Sequence, residues 1–88
     1  MKHKYVKFID DYEFMQWCDI HRDNHDVVKM RYTFMLVYQK GLTRPEAARK
    51  MGVQNGAVYR RISKYMEAVE EYIGERDALK HSNNDFKL

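Results

Sequence analysis

Apolar positions recur at helical spacing in successive segments of this chain. Phe14, Trp17, Cys18 and His21 fall at i, i+3, i+4 and i+7, one stripe of a helix that Asp10 or Asp11 can cap and that runs to about Arg22. The run RDNHD at residues 22–26 reads as a turn. Asn24 or Asp26 can then cap a second helix over about 26–40, with Val27, Met30, Phe34, Val37 and Tyr38 on its apolar face and Gly41 at its end. A third helix is expected over roughly 44–51. A fourth begins near Asn55 and continues to about Ile73, before Gly74, because Val58, Ile62, Tyr65, Met66, Val69, Tyr72 and Ile73 keep one continuous face. Residues 1–9, MKHKYVKFI, are basic and aromatic and form either a short helix or an arm. Residues 75–88 lose the periodicity and are expected to fray. The pattern predicts an all-α fold: one compact four-helix domain over residues 1–88, without internal repeats.

Residues 43–62, TRPEAARKMGVQNGAVYRRI, hold the densest set of local signals. Thr43 is a good N-cap, and Glu46 three residues later completes a capping-box pattern. Pro45 is tolerated in a first turn, whose N–H groups lack internal partners. Ala47 and Ala48 keep the third helix thin where another must cross it closely. Met51 and Val53 flank Gly52 as apolar plugs, and Gly52 suits the left-handed backbone at a helix end. Val58 and Ile62 return to the core at i, i+4, while Tyr59, Arg60 and Arg61 lie between them, free to meet a partner. Gly56 costs about 1 kcal/mol relative to alanine if it is fully helical.

The same segment resembles the helix-turn-helix of sigma-factor region 4 and of resolvase or transposase-type DNA-binding domains. The residues that carry the resemblance are Ala47-Ala48, the turn Met51-Gly52-Val53, and Ala57-Val58-Tyr59-Arg60-Arg61-Ile62. It extends upstream to Val28-Lys29-Met30-Arg31-Tyr32 and covers roughly residues 27–73. The resemblance implies a helix-turn-helix at about 43–62 with a long recognition helix that enters the major groove of duplex DNA. Gln54 and Asn55 suit bidentate contact with adenine, Arg60 suits guanine, and Ala57 can touch a thymine methyl. Arg44, Arg49, Lys50, Tyr59, Arg61 and Lys64 are better placed to hold phosphates.

Charge distribution points the same way. The 88 residues carry a net charge of only +3, which alone implies nothing about nucleic acid. Yet residues 40–64 hold seven basic side chains against one acidic, Glu46. Residues 10–26 hold six acidic against one basic, and residues 67–88 six acidic against three basic. The basic block coincides with the helix-turn-helix segment, as a footprint on phosphate should. The acidic flanks face away from DNA or recruit a basic partner.

Little else offers chemistry. Cys18, His21 and His25 have the spacing C-x2-H-x3-H, but no second ligand pair accompanies them and Cys18 sits on the apolar stripe, so a buried thiol is expected and no metal. Asp10-Asp11 and Glu70-Glu71 read as caps and solvated helix faces. No glycine-rich phosphate loop, nucleophile elbow or triad is present, and no enzyme activity or cofactor is expected. One cysteine allows no internal disulfide, and no apolar run is long enough to span a membrane, so a cytoplasmic protein is expected.

The expected function is sequence-specific regulation of transcription on double-stranded DNA, of a phage or mobile-element type by analogy. The alternatives are a sigma-like or RNA-polymerase-binding accessory factor and a structural DNA-binder in packaging or recombination. The long apolar face of the fourth helix either packs on the first helix or pairs two copies, and a homodimer is expected.

Overall fold

A computed structural model describes residues 3–85, and four α-helices carry most of them. Helix α1 is Tyr12–His21, α2 is Asn24–Phe34, α3 is Arg44–Met51 and α4 is Asn55–Asp85. A 3₁₀ turn, Lys4–Phe8, precedes α1, and a π-helical turn, Met35–Gln39, continues α2. No strand forms among the described residues, so the all-α, four-helix architecture expected from the periodicity is the one observed.

Short polar side chains start the helices. The Asp11 carboxylate accepts the Phe14 N–H at 3.0 Å and caps α1. Asp23 caps α2 by accepting the His25 N–H at 2.8 Å. Asn24 and Asp26, the caps expected from the sequence, lie one and three residues inside the helix. Thr43 and Glu46 form a reciprocal capping box at α3: Glu46 N–H donates to Thr43 Oγ1 at 3.3 Å, and Thr43 N–H donates to Glu46 Oε1 at 2.9 Å.

The second helix departs from the expected regular run to residue 40. At Met35 it widens, and Lys40 N–H reaches back to Met35 O at 2.9 Å. Gly41, at φ 79°, then reverses the chain, and Leu42 N–H donates to Leu36 O at 3.0 Å. The wider turn shifts the inward face. Leu36 is buried, while Val37 and Tyr38, expected inside, are only half-buried.

The core joins all elements. Phe8, Ile9, Phe14, Cys18, Val27, Met30, Phe34, Val58, Ile62, Tyr65 and Val69 are buried together. Phe34 of α2 stacks on Tyr65 of α4, with ring centroids 4.1 Å apart and planes at 24°. Phe14 meets Tyr65 and Tyr72 edge-on. The buried Tyr65 hydroxyl donates to Tyr5 O at 2.9 Å, so its polar tip is satisfied. Burial pushes its phenol well above the ordinary value. The 3₁₀ turn therefore belongs to the core, with Phe8 and Ile9 as its plugs.

Helix α4 corrects one expectation. Gly74 does not end it; the helix runs on to Asp85. Residues 75–85 are thus helical where fraying was expected, while residues 86–88 of that tail lie outside the described residues. Glycine inside a helix costs about 1 kcal/mol. Contacts on both sides of Gly74 oppose that cost: Glu71 accepts from Arg22 at 2.8 Å, and Glu75 accepts from the Trp17 indole at 3.0 Å. Of the two roles open to the long apolar face, packing on the first helix is the one seen within this chain. Tyr65, Val69 and Tyr72 are buried against α1, α2 and the 3₁₀ turn, with Met66 and Ile73 half-buried beside them.

No helix among the described residues is long and apolar enough to cross a membrane.

Candidate nucleic-acid interface

Residues 43–62 fold as α3, a short turn and the first two turns of α4. Gly52 adopts φ 68°, ψ 36°, the left-handed conformation its sequence position suggested. Its N–H donates to Arg49 O at 3.2 Å, and Val53 N–H donates to Ala48 O at 2.9 Å. These two bonds make a Schellman motif, which satisfies carbonyls at the end of α3 and fixes the exit direction of the chain. Ala47 and Ala48 are buried, so α3 lies close to the core. Gln54 then opens α4 through its backbone, its carbonyl accepting Ala57 N–H at 3.0 Å and Val58 N–H at 3.4 Å. The capping-box hydrogen bond from Thr43 N–H also holds the Glu46 carboxyl below its ordinary range.

This scaffold presents most of the candidate residues. Gln54, Asn55 and Arg60 are exposed at the start of α4, and Ala57 is half-buried beside them. Arg49 and Lys50 are exposed on the last turn of α3, and Lys64 on the second turn past Ala57. Tyr59 is 55% exposed.

Two arginines are more engaged than their sequence positions suggested. Arg44 is half-buried: its guanidinium lies 4.7 Å from the Tyr59 ring centroid, and its Nη2 donates to the Tyr38 hydroxyl at 3.3 Å. It clamps the π turn, α3 and α4 together. Arg61 is half-buried too, with Nη1 3.7 Å from Met51 Sδ, a weak acceptor. Thr33 Oγ1 of α2 lies 3.3 Å from the same sulfur, so Met51 is a meeting point of α2, α3 and α4.

A cleft of about 160 Å³ opens beside α4. Asp26, Lys29 and Met30 of α2 form one wall, and Ala57, Arg60, Arg61 and Lys64 of α4 the other. Lys29 and Asp26 were not among the residues marked from the sequence as site residues. Nothing in the spacing of α2 marks them, since both look like ordinary exposed positions on an amphipathic helix. Only the packing of α2 against α4 brings them here.

Acidic residues are used elsewhere. The ion pairs among the described residues are Arg22–Glu71, Arg31–Asp10 and Arg76–Asp77, and His21 Nε2 lies 3.7 Å from Glu75 Oε1. Arg31 also donates from Nε to Ile9 O at 2.6 Å. The basic block between residues 40 and 64 contributes to none of these pairs, and the carboxylates near it are Glu46 within the block and Asp26 across the cleft. Cys18, from the C-x2-H-x3-H run, is buried, and desolvation pushes its thiol up to about 11. No family model, curated protein or solved structure matches the chain.

Proposed function

We propose that the protein is a sequence-specific duplex-DNA-binding regulator of transcription, a cytoplasmic protein of phage or mobile-element type. The observation that carries this proposal is the combination at the start of α4. Exposed Gln54, Asn55 and Arg60 stand at the start of α4, with cations outside any ion pair among the described residues at Arg49 and Lys50 on the last turn of α3 and at Lys64 further along α4. In this mechanism α3, the turn and α4 act as a helix-turn-helix, and the first turns of α4 enter the major groove. Gln54 and Asn55 read adenine, Arg60 reads guanine, and Ala57 meets a thymine methyl. Arg49, Lys50, Arg61 and Lys64 hold phosphates and set the register. Arg44 supports the site by holding Tyr59 in place.

The test is a gel-shift titration of a genomic fragment library at several salt concentrations. With about four to six phosphates neutralised, log K should fall with log salt at a slope of about −4 to −5. Absence of any shift at low salt would sink the proposal.

A second reading, a sigma-like or RNA-polymerase-binding accessory factor, draws on a different surface. An open groove of about 340 Å³ between α1 and the far half of α4 is lined by Trp17, Ile20, Tyr72 and Leu79, with Glu13, Gln16, Glu75 and Arg76 around them. Ile20 is 78% and Leu79 63% exposed. Apolar side chains bordered by two carboxylates and one guanidinium suit a partner helix with an apolar face and mixed charges beside it. Copurification of RNA polymerase with the protein, lost on Ile20→Asp, would favour this reading.

A further inference from the structure

The cleft between α2 and α4 concentrates charge in a way that packing of the two helices does not require. Lys29, Arg60, Arg61 and Lys64 line it against a single carboxylate, Asp26. None of the four cations takes part in an ion pair among the described residues, although Asp26 shares the cleft. Elsewhere two half-buried guanidinium groups meet carboxylates, Arg22 with Glu71 and Arg31 with Asp10, and a third, Arg44, is held by the Tyr59 ring and the Tyr38 hydroxyl. Arg61 is bound only to a thioether sulfur, which leaves most of its donors free. Like charges gathered in a concave site repel one another, and an anion relieves that repulsion. Arg61 offers a planar donor fork suited to phosphate oxygens, the lysines add point charges, and Arg60 borders the cleft while it reaches for the base edges.

We propose that this cleft is a phosphate-binding site that seats one phosphodiester of the DNA backbone, with Lys29 as the contribution of α2 to binding. The proposal rests on the DNA-binding reading above and extends it beyond the α3–α4 unit. Asp26 tempers the site: its carboxylate stands beside the phosphate and weakens the grip. A phosphate seated between α2 and α4 also fixes the angle at which α4 meets the groove, because α2 is rigidly packed on α4 through Met30 and Phe34.

Lys29 and Asp26 are both exposed, so substitutions there leave the core intact. Gel shifts over a salt series, on a selected site and on random DNA, test the idea with melting temperatures as the folding control. Lys29→Ala should weaken binding to both DNAs alike and lower the salt slope by about 0.9, or about eightfold in affinity at 0.1 M salt. Lys29→Arg should keep the wild-type slope. Asp26→Asn should tighten binding by about threefold or more, since it removes a repelling charge next to the phosphate. Wild-type affinity and slope in both Lys29→Ala and Asp26→Asn, with wild-type protein still binding DNA, would overturn the cleft while leaving DNA binding itself standing. Failure of the wild type to bind any DNA at low salt would overturn both. Inorganic phosphate, titrated against backbone amide chemical shifts, separates the two sources of the anion. Weak, millimolar-range shifts at Lys29 and Arg61 agree with a site built for a polymer backbone. Saturation at micromolar phosphate would reassign the cleft to a free phosphate ligand and overturn the DNA-backbone assignment.

Discussion

The guanidinium of Arg44 stacks over the ring of Tyr59, 4.7 Å from its centroid, and ties the first residue of α3 to the second turn of α4. Neither residue is near the other in sequence, and both stand at the margin of the proposed DNA-reading surface. Cation–π contacts of this kind contribute about 0.5–2 kcal/mol, depending on how far they are desolvated. Arg44→Ala should therefore lower the melting temperature, and Tyr59→Ala should lower it less when Arg44 is already absent. A double-mutant cycle on the two residues measures the coupling. Additive losses would show that the pair is not a working clamp.

Base reading and phosphate holding separate by variant. Arg60→Ala and Asn55→Ala should each cost about 1–3 kcal/mol at a cognate site and much less on random DNA. Lys64→Ala should weaken both about equally. Competition gel shifts with cognate and random duplexes make the comparison. Equal losses on both DNAs for Arg60→Ala and Asn55→Ala would remove these side chains from base reading.

The turn between α3 and α4 is expected to be structural. Gly52 has open space around the position of a Cβ but stands at φ 68°, so its cost on substitution is conformational. Gly52→Val should destabilise by about 1–2 kcal/mol or more, because a β-branched residue resists the left-handed region. Ala48 is 3% exposed, and Ala48→Val should cost about 1–3 kcal/mol by overpacking. Thermal melts of both variants give the answer. Unchanged melting with lost DNA binding would instead put these residues at the interface.

Val69 is fully buried on the face of α4 that meets the rest of the domain. A carboxylate there would lie unpaired in the core, at a cost of several kcal/mol (about 3 or more) in a domain of marginal stability. Val69→Asp should therefore unfold the chain rather than dissociate a dimer. Circular dichroism with sedimentation distinguishes the outcomes. A folded monomer produced from a wild-type dimer would return this face to the role of a seam.

Burial raises the Cys18 thiol to about 11 from an ordinary value of 9.0, and shifts the Tyr65 phenol in the same direction. Both groups are neutral when protonated, and the folded state holds the proton more tightly than the unfolded state. The stability they contribute is thus full below pH 9 for Cys18 and is lost as pH rises from about 9 towards about 11. Melting temperature should fall over that window, and less steeply in Cys18→Ala. Under native conditions at neutral pH, Cys18 should resist thiol reagents until the chain is unfolded. Rapid labelling of the native protein would contradict its burial.

Short-range chemistry made much of the fold legible. The Thr43–Glu46 capping box and the Gly52 reversal are completed by bonds that span only a few residues, so the amino acids that make them stand close together in the chain. The apolar faces of α1, α2 and α4 follow from a 3.6-residue period, which holds whatever the faces later pack against. Those same signals marked the exposed start of α4, since residues between inward positions must point outward.

Tertiary packing decided the rest. The period along α4 shows a face but not its partner; α1, α2 and the 3₁₀ turn claimed Tyr65, Val69 and Tyr72 within the same chain. Glycine is a local stop signal, yet Gly74 stays helical because Glu71 and Glu75 find Arg22 and Trp17 some fifty residues earlier. The widening at Met35 and the clamp on Arg44 likewise answer to neighbours distant in sequence. Lys29 is the plainest case. By itself it is one lysine on a polar helix face, and only the seating of α2 against α4 places it among Arg60, Arg61 and Lys64. The sequence by itself determined where helices start, turn and expose their polar sides, because those are properties of neighbouring residues. The three-dimensional packing determined which faces and charges meet, because that depends on contacts the chain makes only once it has folded.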